Sequence, residues 1–257
     1  MKIKFLGTGG TMGVPIWNCD CDICRHADPK NKRGNSALFV TTDDGTDILV
    51  DFGSDIKHQL MKNGIRKIDY ALLTHTHDDH CFGFFPVSRQ TGIKIMMPAP
   101  VMKKFLGSYC DIDWLKNRNP GASVSDFQTV QIDGIKISAI ELAHDKDYSE
   151  PGGRRPCYGY IFESANFRFT YLSDYSEIIG DDTALYGLDL FISDANSWDG
   201  GHGHLGIAGS IEMYKKYQPK QMLLTHMNHT VEYNAVLEHA KKFGNIAPAY
   251  DGMEIEV

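Results

Sequence analysis

"LLTHTHDDH" (Leu72–His80) puts three histidines and two aspartates into the six residues that follow an apolar run. Such crowding leaves polar groups stranded at a strand end unless something gathers them. His75 and His77 are two residues apart. Residues i and i+2 of an extended chain point to the same side, so both imidazoles can approach one ion. Asp79 and His80 follow in an expected tight turn leading to a helix, with Gly83 allowing close approach. They point elsewhere and can bind a second ion. The full H-x-H-x-D-H spacing behind an apolar strand is far more specific than an isolated His-x-His pair.

The pattern continues outward. Short β-branched or aromatic runs separated by turn residues recur along the chain and predict strands. "YALLTH" ends at His75, "IKISAIELAH" at His144, "RFTYLSD" at Asp174 and "QMLLTH" at His226. Ligands gather where strands end and loops begin, so four strand ends bearing such side chains predict one shared site. Helical periodicity is read at about 54–63, 100–109, 204–217 and 231–243, and "DDGTD" (Asp43–Asp47) predicts a hairpin turn.

The 257 residues, 42% of them apolar, are read as one domain, 1–257, with a sizeable core. The net charge of −7 opposes broad binding to extended nucleic acid or anionic membranes. A small phosphorylated substrate at a local positive site remains compatible. The N-terminal apolar run is too short for a signal peptide and no run approaches a membrane span, so a cytoplasmic location is expected. A homodimer is the default oligomer.

"THTHDDH" resembles the signature of the metallo-β-lactamase-fold hydrolases. That resemblance implies an α/β, four-layered αββα sandwich with metals at one edge. It implies one metal on His75, His77 and His144, and another on Asp79, His80 and His226, with Asp174 bridging. Asp51 in "ILVDFG" matches the aspartate that supports the metal loop from behind. "FLGTGGTMGVP", "RGNSALFV", "YGY" and the ending "YDGMEIEV" narrow the likeness. They resemble the branch of PhnP-type cyclic-phosphate phosphodiesterases, which is related to ribonuclease Z. The matching segments run through nearly the whole chain.

"CDCDIC" sets Cys19, Cys21 and Cys24 at a spacing that can occupy three corners of a zinc tetrahedron. In the same branch the fourth ligand is a histidine three residues after the last catalytic one, here His229. That would make a structural Zn²⁺ site near 19–24. Cys81, Cys110 and Cys157 read as ordinary buried or semi-buried thiols. In "GGHGHLG", His204 matches the branch histidine credited with contacting phosphate and protonating the leaving group, while His202 reads as incidental. The segment "DKDYSEPGGRRPC" (145–157) looks longer than the family's equivalent, and its Arg154 and Arg155 are candidate phosphate contacts.

The expected activity is hydrolysis of a small, cyclic phosphodiester by a metal-activated water. Asp174 and Asp79 would take part at the ions and His204 would act as the acid. The donor set suits Mn²⁺ or Zn²⁺, and the resemblance tilts the catalytic pair towards Mn²⁺. Rival expectations are a nuclease like ribonuclease Z, or a non-hydrolytic accessory protein like that of pyrroloquinoline quinone synthesis. The first lacks its basic arm here. The second is opposed by the completeness of the expected catalytic ligands.

Overall fold

The computed structural model describes residues 1–25, 28–109, 113, 115, 117, 119, 121–147 and 153–257. Cys110 and residues 148–152 of the segment noted above lie outside them.

Period-2 patterns become strands. The first sheet takes β1 (Lys2–Gly7), β2 (Ala37–Thr41), β3 (Asp47–Val50), β4 (Tyr70–Leu72), β5 (Lys94–Met97) and β6 (Ser123–Asp126). The second opens with β7 (Thr129–Ile132) and β8 (Ile135–Ala143). A separate ribbon of β9 (Lys146–Asp147) and β10 (Gly153–Arg154) follows. The second sheet resumes with β11 (Cys157–Glu163), β12 (Arg168–Leu172), β13 (Glu177–Ile178), β14 (Leu190–Asp194), β15 (Gln221–Thr225) and β16 (Ile246–Pro248). The chain then returns to the first sheet as β17 (Glu254–Glu256), antiparallel to β1.

The orders are β17-β1-β2-β3-β4-β5-β6 and β13-β8-β11-β12-β14-β15-β16, with β7 beside β8. Both sheets change from antiparallel to parallel partway across. In the first the change comes at β3, and in the second at β12. The hairpin between β2 and β3 turns at Gly45, where φ is +83°, with Thr42 N donating to Thr46 O. This is the turn expected from "DDGTD".

Alternation along the strands explains the layering. Leu190 and Ile192 of β14 join a core that also holds Ile3, Phe5 and Leu72 of the first sheet. Phe191, between them, faces a second core with Ile207, Ile211 and Val236. Those three belong to helices Gly206–Tyr217 and Tyr233–Ala240. One face of the second sheet therefore meets the first sheet and the other meets helices. Helices Ile56–Lys62 and Ala99–Ser108 accompany the first sheet, and all four fall where periodicity placed them to within a few residues. Among the described residues, no helix is long and apolar enough to cross a membrane.

Candidate metal centre

The loop after β4 builds half the site. His77 is extended (φ −77°, ψ 154°) and caps a short helix, Asp78–Cys81. The switch from extended to helical backbone carries Asp79 and His80 into a second donor group, although the His80 ring still packs 4.2 Å from that of His75. The short helix is pinned to the segment after β3: Phe52 N donates to His80 O and Gly83 N to Phe52 O, both at 2.7 Å. A Cβ on Gly83 would lie 2.5 Å from Gly53 O, so only glycine permits this approach.

The other half comes from the second sheet. His144 follows β8, Asp174 lies just past β12, and His226 follows β15. Their ligand-type atoms form two groups of donors with those of the first loop. One is His75, His77, His144 and Asp174, and the other is Asp79, His80 and His226. Within the first, His77 Nδ1 lies 2.9 Å from His75 Nε2 and 3.1 Å from His144 Nε2. Asp174 faces both groups, 3.6 Å from His144 Nε2 and 3.2 Å from the Nε2 atoms of His80 and His226. Asp79 Oδ2 is 3.2 Å from His226 Nε2.

This donor set suits cations. His80 Nε2 and Asp174 Oδ1 are buried without a hydrogen-bond partner, although only 3.2 Å separates them. Burial pushes His75 well below its ordinary pKa and His77 down to about 4, so both present neutral imidazoles. At His80 burial also opposes charge, but Asp174, Asp51 and Asp79 outweigh it and hold the ring well above its ordinary value. A proton there answers a demand for positive charge that divalent ions would meet.

Asp51 supports this arrangement from beneath. It accepts from Thr74 N and His80 Nδ1 at 2.9 and 2.8 Å. Asp51 and His226 both adopt left-handed backbone, with φ of +63° and +58°. Two non-glycine residues so placed beside one cluster mark strain held by their surroundings.

The second candidate site draws in Cys19, Cys21, Cys24 and His229. Their sulfurs lie 3.2, 3.6 and 3.7 Å from His229 Nδ1. Tetrahedral zinc with S and N ligands would separate them by about 3.5 Å. Cys81 and Cys157 are buried elsewhere.

His204 stacks against His226, with ring centroids 5.0 Å apart, and donates from Nδ1 to Asp194 at 3.0 Å. Burial works against its charge, but Asp194, Asp174 and Asp79 raise it to about 9. Asp194 was not singled out in the sequence. The signal was there, since "LDLFISD" ends in aspartate as "RFTYLSD" does. Arg155 Nη1 reaches Thr76 Oγ1 at 3.3 Å, inside the H-x-H loop. Arg154 is exposed and lines a cleft of about 480 Å³ with His144, Glu177, His202 and Gly203. The two arginines thus face different places.

The family model of the beta-lactamase superfamily domain matches residues 46–227. The chain belongs to that superfamily. Within it, the chain is 27% identical over 267 residues to an octanoyltransferase of Porphyromonas gingivalis, covering 99% of the chain and 51% of that protein. The chain therefore spans about half the length of that relative. It is 23% identical over 317 residues to a ribonuclease Z of Archaeoglobus fulgidus, covering 100% and 97%. The solved structure of a diphosphatase from the PhnP family superposes with a TM-score of 0.83 at 23% identity, covering 100% and 97%. Zn²⁺-bound PqqB from Methylobacterium extorquens gives 0.85 at 19%, covering 100% of both chains. These likenesses bear out the metallo-β-lactamase fold read from the H-x-H-x-D-H stretch.

Proposed function

We propose that this chain is a dinuclear-metal phosphodiesterase that hydrolyses small, cyclic phosphodiesters. The observation that carries the reading is that Asp174 lies 3.2–3.6 Å from histidines of both donor groups, with His204 beside it in a hydrogen bond to Asp194. Two divalent ions in these groups would polarise a phosphoryl oxygen and make a bound water acidic. His75, His77 and His144 would hold one ion, Asp79, His80 and His226 the other, and Asp174 both. The mixed imidazole and carboxylate donors suit Mn²⁺ or Zn²⁺. The thiol cluster suits a structural Zn²⁺.

His204 supplies the acid. Its Nδ1 is committed to Asp194, which leaves Nε2 to carry the proton for the departing alkoxide. Divalent ions would neutralise Asp174 and Asp79, so Asp194 is the carboxylate left to favour a protonated ring. Arg155, whose Nη1 reaches Thr76 Oγ1 in the H-x-H loop, is the arginine this reading assigns to a phosphate oxygen. The partners are a small diester and, as the default, a second copy of the chain. A net charge of −7 disfavours extended nucleic acid, as a ribonuclease Z would bind. The octanoyltransferase similarity covers half of that protein, so acyl transfer is not carried over.

The test is turnover of bis(p-nitrophenyl) phosphate by protein loaded with Mn²⁺, beside the monoester and a nitrophenyl carboxylic ester. The diester alone should turn over. Asp174→Ala should lower kcat/KM by about 10³-fold, since it removes a group facing both ions. No diester turnover with both ions bound would reject the reading in favour of another hydrolase substrate or of a binding protein.

A further inference from the structure

Each inner imidazole turns one nitrogen into the cluster and one outward. For four of the five, the outward nitrogen meets the body of the fold. His75 Nδ1 meets Thr74 Oγ1 at 3.0 Å and His80 Nδ1 meets Asp51 at 2.8 Å. His144 Nδ1 donates to Gly203 O at 2.9 Å, and His226 Nδ1 lies 3.3 Å from the Asn196 amide. His77 is different. Its inward atom is Nδ1, so Nε2 faces out and must carry the proton when the ring is a neutral ligand. What it faces is Asp145 Oδ2, 3.5 Å away. The His77 side chain is 24% exposed, against 2% or less for the other four.

Asp145 lies outside both large sheets. It immediately precedes the β9–β10 ribbon, in which Lys146 pairs with Arg154. Arg155 N donates to Asp145 O at 3.0 Å, and Arg155 Nη1 reaches Thr76 Oγ1. The two residues flanking the ribbon therefore meet the H-x-H loop at neighbouring positions, Arg155 at Thr76 and Asp145 at His77. A neutral imidazole has two tautomers. An acceptor beside Nε2 selects the one that leaves the Nδ1 lone pair for a cation, and it limits rotation of a partly exposed ring.

We propose that Asp145 is the positioning residue for His77, through which the ribbon sets the ion affinity of the His75/His77/His144 group. The proposal rests on the metal-binding reading above. It separates the two ions, because no ribbon residue approaches Asp79, His80 or His226 among the described contacts.

The experiment strips the full chain with a chelator and titrates it with Zn²⁺ against a chromogenic competitor. Wild-type protein should show two ions at the imidazole–carboxylate centre and one at the thiols. Asp145→Ala should weaken one of the three by about 10–100-fold and spare the others. Asp145→Asn keeps an acceptor and should retain most of the affinity. Glu177→Ala removes a charge from the same cleft and should bind as wild type. Three unchanged affinities in Asp145→Ala would overturn the proposal, as would equal losses in Asp145→Ala and Glu177→Ala, which would reduce the effect to charge. If the alanine variant fails to fold, histidine ¹⁵N spectra of stripped wild-type protein decide. His77 protonated on Nε2 supports the proposal, and the Nδ1–H tautomer overturns it. Wild-type protein that fills only the thiol cluster would reject the metal reading itself.

Discussion

His226 and His229 are three residues apart on one loop, yet they belong to clusters made of different material. The inner cluster is almost wholly buried and mixes imidazoles with two carboxylates, one of them facing both donor groups. The outer cluster is three thiols and one imidazole, half-buried, with no carboxylate. Four donors at tetrahedral spacing close a site, so the outer cluster can hold a zinc but leaves no position for a substrate. The inner groups lie against a cleft and carry His204 at their side. Burial, shared charge and an adjoining opening separate a centre suited to chemistry from one suited to stapling. Arg33 keeps the two in register. Its buried guanidinium donates to the carbonyls of Asn228 and Val231 on either side of His229.

The comparison can be broken by variants that should affect one cluster and spare the other. The largest effect after loss of Asp174 is expected from His204→Ala. Diester turnover should drop by about 10²-fold while metal analysis still finds every ion. Full activity in that variant would remove His204 from the chemistry. Next comes Cys24→Ser. It should lose one equivalent of zinc and lower Tm by roughly 5–10 °C, on the scale of ~2–4 °C per kcal/mol for a chain of about this size. The two inner ions should stay. Simultaneous loss of all three would show that the clusters are a single unit.

The smallest effect is a pH dependence at a carboxylate that belongs to neither cluster. Asp251 accepts from Thr8 Oγ1 and Gly34 N, and burial nevertheless lifts its carboxyl to about 6 from an ordinary 3.8. The folded state therefore binds more protons than the unfolded state between those values. This group's contribution is greatest below about pH 4 and declines as pH rises towards 6. Chemical denaturation at pH 4, 5, 6 and 7 should show that decline in wild type and a flatter curve in Asp251→Asn. Parallel curves would mean that Asp251 ionises normally.

Much of this was legible locally. The H-x-H-x-D-H stretch needs only a strand end and a helical turn, and both are written in neighbouring residues. The four helices announced themselves by periodicity. "LDLFISD" marks Asp194 as a strand end, but nothing near Asp194 or Asp145 in sequence says which histidine each carboxylate approaches. Asp194 matters through a histidine ten residues on, and Asp145 through one 68 residues earlier. The strand order was likewise beyond local reading. β17 returns to β1 across the whole chain, and β14 pairs with β12 and β15 in parallel, which depends on packing between distant segments.

One feature of the inner cluster has a mechanical side. His75, His77, Asp79 and His80 hang from the first sheet, while His144, Asp174 and His226 hang from the second. Each donor group takes members from both. An ion in either group is therefore a rivet through the seam of the sandwich, and filling it favours the closed seam by mass action. If ions fill these groups, metal starvation would loosen the molecule first at this edge, and ion affinity and cohesion of the two halves would rise and fall together.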